Sequence, residues 1–421
     1  MARNRSDADR PVTPVPGSEN HIVGRRIIRT LEAQLQQLAA ERPHPNRVLF
    51  FDHVVVAHLL AFFNPTLRGL RSSQELFDQP QVRRRWGTPR IPRSTLADAQ
   101  SLFNSQLLVP LIQDLLGRLG HLPRLPALDA LTQKLLAVDG TFFSVAPRIA
   151  WALFNKASIK AGARRDVRKG NVRAHFQFNV LTGLPEQVAL TDGQTTEMSQ
   201  LRLSLASDCF YVGDRHYHDY GLLADILKAG SDFLFRLRCS AATRVLEELP
   251  LSAADQAAGV RSDCRVRLGA RENPDAPLPD LRRIEVNFTN RDGTPGVLIL
   301  LTNRFDLPAH LIALIYQHRW QVELFFRWLK CVAHFEHFFS ESREGMTLQV
   351  YVAIIGTLLI ALETGARPSK YDYAMMCNMV LGLADPEEAL EAAERRRKER
   401  ARAAEWQKAY NARKKAEKTS G

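Results

Sequence analysis

The sequence predicts an α/β protein built on a mixed sheet with flanking helices. Short apolar runs at 135–138, 209–213 and 297–301 predict buried strands. Alternating residues at 174–181 and 187–190 predict an antiparallel pair, and helical patterns separate the later strands. Helices that cover the faces of a sheet are a common α/β arrangement, so this order of elements favours that class.

The same patterns predict the organisation of the whole chain. Apolar spacing typical of helices at 48–63 and 96–116 predicts a helical region before the first strand. The predicted segments are a disordered tail at 1–20, a helical N-terminal domain at 21–125, the first part of the core at 126–240, a β-rich insertion at 241–296, the second part of the core at 297–380, and a basic helical tail at 381–421.

The charge balance favours a polyanionic partner. Lys and Arg number 57 against 45 Asp and Glu, a formal net charge of +12. Nucleic acid is the usual partner of a chain with such an excess, although other basic proteins share it. The five cysteines form no C-x2-C pair, which argues against a zinc or redox motif and favours a reduced intracellular protein.

Two observations predict a cytoplasmic protein without a membrane anchor. Residues 1–20 are polar and contain no apolar core of a signal peptide. The longest apolar run, 351–362, is shorter than the ~20 residues that cross a bilayer, so we expect a buried helix there.

Acidic residues follow two of the predicted strands. Asp139 comes directly after the apolar run at 135–138, and Asp214 directly after the run at 209–213. If the two strands are neighbours, these side chains lie side by side, and carboxylates are the ligands that Mg²⁺ prefers. Acids at strand ends are also common in turns and caps, so neither residue decides the matter alone. His216 and His218, just after Asp214, are expected beside such a site rather than as metal ligands.

A charged helical face is predicted between residues 316 and 330. At about 100° per residue, a set of side chains falls within about 100° of one another. They are Tyr316, Arg319, Trp320, Glu323, Arg327 and Lys330. A solvated face explains the polarity of this set but not its aromatic residues. A carboxylate flanked by cations is typical of a metal ligand beside side chains that bind phosphate.

The spacing on this face resembles the signature around the catalytic glutamate of the IS-four family of bacterial insertion-sequence transposases. The matching pattern, without a mismatch, is Tyr316-x2-Arg319-x3-Glu323-x6-Lys330. The Asp-Gly-Thr segment at Asp139 and the Gly-Asp-Arg segment at Asp214 are similar to the family's two aspartate motifs. The resemblance covers about residues 130–335 and, more loosely, the N-terminal helices.

This resemblance implies a fold and an active site. The implied fold is an RNase H-like mixed sheet with flanking helices, a β-rich insertion before the glutamate and an all-α N-terminal domain. The implied site is a DDE triad in which Asp139, Asp214 and Glu323 are catalytic and bind a pair of Mg²⁺ ions, with Mn²⁺ as a substitute.

The resemblance also implies how DNA is held. Tyr316, Arg319 and Lys330 match positions that hold the transposon end, and Arg327 shares their face. Trp320 matches a position that stacks near a flipped base. The implied partners are double-stranded DNA with terminal inverted repeats, a target DNA, and a second copy of the chain in a homodimeric DNA complex. The implied location is cytoplasmic, at the nucleoid.

Three other basic segments have open roles. A stretch between 148 and 173 is expected to contact the DNA backbone, with a mobile surface loop as the alternative. Its expected DNA-binding residues are Lys156, Lys160, Arg164, Arg165, Arg168 and Lys169. An arginine-rich loop at 83–93 fits DNA binding and a solvated linker equally well. An exposed helix at 387–418 fits contact with DNA, contact with a second subunit, or neither.

We expect a DDE transposase that carries out cut-and-paste transposition by cleaving DNA ends and transferring strands. A structure-selective nuclease on the same core is the alternative enzyme. A catalytically silent, transposase-derived DNA-binding regulator is the alternative from another class. The presence of all three carboxylates argues against the regulator, which would be free to lose them. Strand joining and end specificity separate a transposase from a nuclease.

Overall fold

The computed structural model describes most of the chain. The described residues are 31–40, 49, 51–67, 69–86, 90–120, 122, 126–128, 131–160, 163–238, 241–269, 278–290, 293–332 and 337–419. The tail predicted at 1–20 lies outside them. The chain divides into two compact units, a sheet unit of residues 120–330 and a helical unit of residues 1–119 with 331–421. Each is described by itself.

The α-helices of the described residues are distributed over both units. Those of the helical unit are α1 (Glu32–Ala40), α2 (Phe51–Phe63), α3 (Leu70–Phe77), α4 (Pro80–Trp86), α5 (Arg93–Leu102), α6 (Val109–Arg118), α12 (Arg343–Thr364), α13 (Lys370–Leu381) and α14 (Pro386–Thr419). Those of the sheet unit are α7 (Glu197–Leu203), α8 (Tyr220–Lys228), α9 (Ala253–Ala257), α10 (Ala309–His318) and α11 (Gln321–Arg327).

The strands of the described residues all belong to the sheet unit. They are β1 (Lys134–Val145), β2 (Leu153–Lys160), β3 (Ala163–Asn179), β4 (Leu184–Asp192), β5 (Cys209–Gly213), β6 (Asp232–Arg236), β7 (Thr243–Glu248), β8 (Val260–Leu268), β9 (Leu281–Thr289) and β10 (Pro295–Thr302).

These strands form one mixed sheet. Along it they are ordered β2-β3-β1-β5-β6-β10-β9-β8-β7, and β4 pairs with β3. Strand β1 runs antiparallel to β3 and parallel to β5, and β5 runs parallel to β6. Parallel neighbours need a crossover, which α8 supplies between β5 and β6. The predicted α/β class is confirmed, and the mixed sheet with its helices is consistent with an RNase H-like domain.

The centre of the sheet is covered by helices. All five residues of β5 are buried, which explains its apolar run without alternation. Leu201 of α7 and Leu222 and Ile226 of α8 pack in one buried cluster with Tyr211 of β5 and Phe235 of β6. Burial of side chains of this size stabilises the fold by roughly 1.5–3 kcal/mol each. This cluster therefore anchors the strand segments that lead to Asp139 and Asp214.

The β-rich segment extends the sheet. Strand β9 pairs antiparallel with β10 over its full length, and β8 and β7 follow at the edge. A buried ion pair joins β8 to β9, with Arg282 donating to Asp263 at 2.9 and 2.6 Å. Removing one partner of such a pair costs about 3–5 kcal/mol, because the other charge stays buried. The β-rich segment is therefore part of the same sheet as β6 and β10.

The helical unit is organised around α12. By length and composition, α12 is apolar enough to cross a membrane, but 94% of its most apolar stretch is buried, as in the core helix of a globular protein. It packs against α2, α5 and α6. The buried helix predicted at 351–362 is therefore confirmed, and it is longer than predicted. The separate all-α N-terminal domain stays a prediction.

Several predicted elements differ from the observed ones. The helix predicted at 96–116 is divided by Phe103 and Asn104 into α5, a short 3-10 turn and α6, because Phe103 adopts an extended backbone. The arginine-rich loop predicted at 83–93 is partly helical, since its first residues belong to α4. Arg90 in this segment pairs with Asp78 at 2.7 Å.

Helix α12 is closely packed at Gly356. A Cβ at this position would lie 2.5 Å from ring atoms of Phe62, closer than real carbon atoms approach. We expect Gly356→Ala to lower the free energy of unfolding by about 1–3 kcal/mol, because Phe62 must move within a packed core. Urea denaturation measures the change.

Gly117 in α6 provides the matched control, since a Cβ there would meet nothing within 4 Å. Gly117→Ala is expected to leave stability unchanged or to raise it by roughly 0.5–1 kcal/mol through helix propensity. Equal effects of the two substitutions on the urea midpoint would show that Phe62 does not limit the packing.

Candidate active site

Strand pairing brings the two candidate aspartates together. In the parallel pair of β1 and β5, Ala137 is the partner of Val212. Asp139 and Asp214 each lie two residues beyond these partners, so the two acids stand at the same level on neighbouring strands. The structure thus confirms that these strands are neighbours.

The prediction that the first strand ends at its acid is wrong. Strand β1 continues to Val145, because residues up to Val145 pair with β3. Strand β5 ends at Gly213. Asp139 therefore lies where β1 loses its parallel neighbour, and its side chain is part-buried with 20% of it exposed.

Arg319 links two of the three candidate carboxylates. Its Nη2 lies 2.8 Å from Oε1 of Glu323, and its Nη1 lies 3.6 Å from Oδ2 of Asp139. The guanidinium group is only 13% exposed and lies 5.7 Å from the ring centre of Tyr316. One cation is thus held between an acid of the sheet and an acid of the helical segment.

The helical segment that carries these residues is interrupted. The backbone N–H of Arg319 bonds to Tyr316, and that of Val322 bonds to Arg319, so the chain tightens between α10 and α11. A π-helical turn, Trp328–Val332, follows α11. The continuous helix predicted here is therefore divided, because bonds to the third and fifth residue replace the regular pattern of an α-helix.

The remaining predicted residues of this face have different surroundings. The ammonium group of Lys330 donates to the carbonyl oxygen of Phe142 at 2.6 Å and lies 4.8 Å from the ring centre of Phe143. Trp320 is 54% exposed, and Arg327 is exposed. Lys330 is therefore tied to β1, whereas Trp320 and Arg327 face solvent.

Asp139 has an unusual electrostatic environment. Burial raises its pKa to about 7, and the nearby charges of Glu197 and Asp214 act in the same direction. The hydrogen bond from the Gly140 N–H, 2.8 Å long, and the charge of Arg319 oppose this effect. Carboxylates that raise each other's pKa favour the binding of a positive charge between them.

Asp214 is held by the turn that follows it. Its Oδ1 accepts a hydrogen bond from the backbone N–H of His216, and its Oδ2 lies 2.8 Å from Nδ1 of His216. His216 therefore contacts the carboxylate through its ring, as expected of a residue beside the site.

Glu197 is a neighbour of the site that sequence reasoning missed. It lies in the first turn of α7, and a Cβ on Gly140 would lie 2.6 Å from its Oε1. A side chain at position 140 would require this carboxylate to move. Burial raises the pKa of Glu197, the charge of Arg173 lowers it and that of Asp214 raises it further. The sequence signal for this residue is the Thr-Glu pair typical of a helix start. In the structure the carboxylate of Glu197 faces Gly140.

Arg173 is a second neighbour whose surroundings only the fold reveals. Its guanidinium group lies 4.2 Å from the ring centre of Phe142, and it donates to the carbonyl oxygen of Thr195 at 3.1 Å. It was predicted only as one cation of the basic stretch. Its contacts join the end of β1 to the start of α7.

The chemistry of the donor set fits a hard divalent cation. Asp139, Asp214 and Glu323 offer only carboxylate oxygens, which suit Mg²⁺ and Mn²⁺. Within the described residues, no three His, Cys, Asp or Glu side chains are grouped tightly enough to hold a metal ion as they stand. Arg319 binds Glu323, and His216 contacts Asp214. A bound cation would therefore compete with these partners for the carboxylates.

The basic stretch between β1 and β3 is a hairpin rather than a loop. Strands β2 and β3 pair antiparallel from Leu153 with Gly170 to Lys160 with Ala163. The predicted DNA-binding residues on this hairpin are Lys156, Lys160, Arg164, Arg165, Arg168 and Lys169. Their backbone is described, while their side chains lie outside the described part of the structure.

Comparison with known proteins identifies the class to which this sheet and its acids belong. The family of transposase DDE domains matches residues 131–359, more than half of the chain. The chain therefore belongs to the transposase DDE domain family. The match includes the three candidate carboxylates, which are Asp139 in β1, Asp214 directly after β5 and Glu323 in α11.

Two relatives are similar over about half of the chain. A protein of Sinorhizobium fredii named as a transposase is 27% identical over 202 residues, 48% of this chain and 55% of the relative. A protein of Geobacillus stearothermophilus named as the transposase of insertion sequence element IS5377 is 23% identical over 229 residues, 54% of this chain and 56% of the relative. The chain thus spans about half the length of these relatives.

The pKa of Asp139 leads to a prediction about stability. Because this pKa is raised from 3.8 to about 7, the folded protein keeps a proton that the unfolded chain has released, and stability falls as pH rises between these values. Asp139→Asn removes the buried charge. We expect its free energy of unfolding in metal-free buffer to exceed that of the wild type by ~2 kcal/mol at pH 8.

Urea denaturation in EDTA at several pH values tests this expectation. The advantage of Asp139→Asn should be absent near pH 4, grow up to about pH 7 and then stay constant. Asp225→Asn is the control, because Asp225 is 48% exposed in its pair with Arg202 and should change stability little at any pH. A variant less stable than the wild type at pH 8 would contradict the account of Asp139.

Proposed function

We propose that the chain is a DDE transposase of the IS-four type that moves an insertion sequence by a cut-and-paste mechanism. The observation that carries this proposal is the grouping of Asp139 and Asp214 on neighbouring strands, with Arg319 joining Asp139 to Glu323. Membership of the transposase DDE domain family supports it, as does the signature pattern on α10, α11 and the π-helical turn.

In this proposal Asp139, Asp214 and Glu323 hold a pair of divalent cations, Mg²⁺ or Mn²⁺. When bound, such ions activate an attacking oxygen and stabilise the leaving oxygen of a phosphodiester. Arg319 holds Glu323 in place before the metal binds and then offers its guanidinium group to a phosphate. Arg319 would thus serve two roles, as the partner of Glu323 in the metal-free protein and as a phosphate contact in the presence of DNA.

DNA is held around these carboxylates. Lys330 lies at the end of β1, Tyr316 lies against Arg319, and Arg327 is exposed to bind the backbone. Trp320, exposed beside Arg319, offers its ring to stack on an unpaired base. The hairpin of β2 and β3 carries a run of basic residues and follows Asp139 closely in the sequence. Such a run suits sequence-independent contact with phosphates.

The partners follow from the reaction. The proposed substrate is double-stranded DNA with terminal inverted repeats, and the second substrate is a target DNA. Two copies of the chain pair the ends in the proposed homodimer, at the nucleoid in the cytoplasm. A coding region flanked by short inverted repeats is the genomic observation that agrees with this proposal.

Glu323→Gln tests the assigned chemistry. With DNA that carries the terminal repeats of the element, we expect the wild type to cleave the repeat ends and join them to target DNA only when Mg²⁺ or Mn²⁺ is present. The variant keeps the size of the side chain but loses a charged ligand, so cleavage should fall at least 100-fold. Its affinity for the repeat DNA, measured in EDTA, should stay within about threefold of the wild type.

Two outcomes would contradict the assignment. One is cleavage by the wild type in EDTA, and the other is full activity of Glu323→Gln. Cleavage without strand joining or preference for the repeats would instead identify a nuclease. Metal-dependent binding without any cleavage would favour a regulator.

Arg319→Ala and Arg327→Ala form a matched pair, since each removes one cation from the same helical segment. Arg319 touches two carboxylates, whereas Arg327 is exposed to solvent. We expect Arg319→Ala to lower the rate of cleavage at saturating DNA roughly 100-fold, because Glu323 and Asp139 lose their shared partner. Arg327→Ala should weaken DNA binding, reduce its salt dependence by about one ion and leave that rate unchanged.

Single-turnover cleavage and binding titrations at several salt concentrations separate the two effects. If both variants lose only affinity, Arg319 acts as an ordinary phosphate contact and its role in holding Glu323 is wrong.

A further inference from the structure

The helix that leads to Arg319 has no cap of its own. The residue before α10 is Pro308, which has no side-chain acceptor for the free N–H groups of the first turn. The acceptor comes from Asp255 in α9 of the inserted segment. Its Oδ1 accepts from the backbone N–H of His310 at 2.8 Å and lies 2.8 Å from Nδ1 of the same residue.

Asp255 is itself rigidly held. It is 6% exposed, and its Oδ2 accepts from the backbone N–H of Ser252 at 2.9 Å and from the Ser252 hydroxyl at 2.6 Å. Although burial acts to raise its pKa, the hydrogen bonds from Ser252 and His310 hold the pKa of Asp255 well below its usual range. It is therefore an anion at neutral pH and a strong cap for a helix N-terminus.

A second contact from the insertion holds the chain just before α10. Arg282 of β9 donates through Nη1 to the carbonyl oxygens of Leu307 at 2.5 Å and Arg304 at 3.0 Å. Its other nitrogens bind Asp263 of β8 in the buried ion pair described above. Two buried charges of the insertion, Asp255 and Arg282, thus fix both the entry of the chain into α10 and the first turn of the helix.

The position of α10 determines where the site residues lie. Ile312 and Ile315 are fully buried, so the helix behaves as a rigid rod between its N-terminus and Tyr316. Arg319 follows His310 by nine residues, about 14 Å along a helix at 1.5 Å per residue. A shift of one residue would rotate the far end by about 100° and remove Arg319 from Glu323 and Asp139.

We propose that Asp255 is a positioning residue of the active site, which acts through α10 to place Arg319 and Glu323. This inference rests on the proposed function for its catalytic consequence. It gives the inserted segment a part in assembling the site, in addition to any contact with DNA. The capping contact itself is independent of the reaction, which allows the two to be tested separately.

The experiment compares Asp255→Ala with Ser252→Ala in the full-length protein. Ser252→Ala removes the hydroxyl that caps α9 and contacts Asp255 but leaves both contacts to His310, so it matches the local damage without uncapping α10. Asp255→Asn is the conservative variant, because its amide oxygen still accepts from the His310 N–H. His310→Ala removes only the ring contact and keeps the capped backbone N–H. Asp255→Ser, whose shorter side chain no longer reaches the His310 N–H, is the milder variant should Asp255→Ala fail to fold.

Amide hydrogen exchange in metal-free buffer provides the readout that does not depend on activity. We expect exchange at residues 309–323 to accelerate at least tenfold in Asp255→Ala, but not in Ser252→Ala, with Asp255→Asn close to the wild type. Equal protection of this segment in Asp255→Ala and the wild type would overturn the proposal. If Asp255→Ala does not fold, the same comparison is made with Asp255→Ser, and equal protection of this segment in Asp255→Ser and the wild type overturns the proposal.

The metal dependence of DNA cleavage provides the second readout. In Asp255→Ala we expect the Mg²⁺ concentration for half-maximal cleavage to rise at least fivefold and the rate at saturating Mg²⁺ to fall about tenfold, with unchanged affinity for DNA. Ser252→Ala should keep the wild-type metal requirement, and an equal shift in both variants would overturn the proposal. If the wild type cleaves no DNA while hydrogen exchange behaves as expected, the proposed function fails and the capping role of Asp255 stands.

Discussion

The parallel pairing of β1 with β5 is the constraint on which the site depends. With Ala137 opposite Val212, the acids two residues further along each strand come to the same level at the point where β5 ends. A shift of the register by one residue would turn one of the two side chains to the other face of the sheet. The buried side chains of β5 and α8 resist such a shift, so the packing of the core also sets the chemistry of its edge.

Charge at this edge is balanced by the protein itself. Burial raises the pKa of Asp139 and of Glu197, the charge of Asp214 adds to the effect on both, and the charge of Glu197 adds to the effect on Asp139. Arg319 offsets part of this cost by joining Asp139 to Glu323. Such an arrangement is less stable than a neutral one would be, which is typical of sites that bind a cation. In the proposed function, the same guanidinium group would contact a phosphate when a metal ion holds the carboxylates.

The segment predicted as an insertion, residues 241–296, holds the start of α10, the helix that leads to Arg319. Strands β9 and β8 continue the sheet beyond β10, and α9 and Arg282 hold the start of α10. Helix α10 in turn carries Tyr316 and leads to Arg319, whose contacts reach β1. A connected path of pairing, capping and charge therefore runs from the far edge of the sheet to Asp139.

The sequence by itself determined the α/β class, the buried apolar runs of β1 and β5 that lead to Asp139 and Asp214, and the pattern around Glu323, because these depend on local apolar runs and helical spacing. Its motifs also included four residues that the fold brings near one another: Asp139, Asp214, Arg319 and Glu323. Only the tertiary structure decided that Glu197 faces Gly140, that the basic stretch forms a hairpin, and that Asp255 caps α10. These features arise from contacts between residues distant in sequence, and no local pattern records which distant partner a side chain meets.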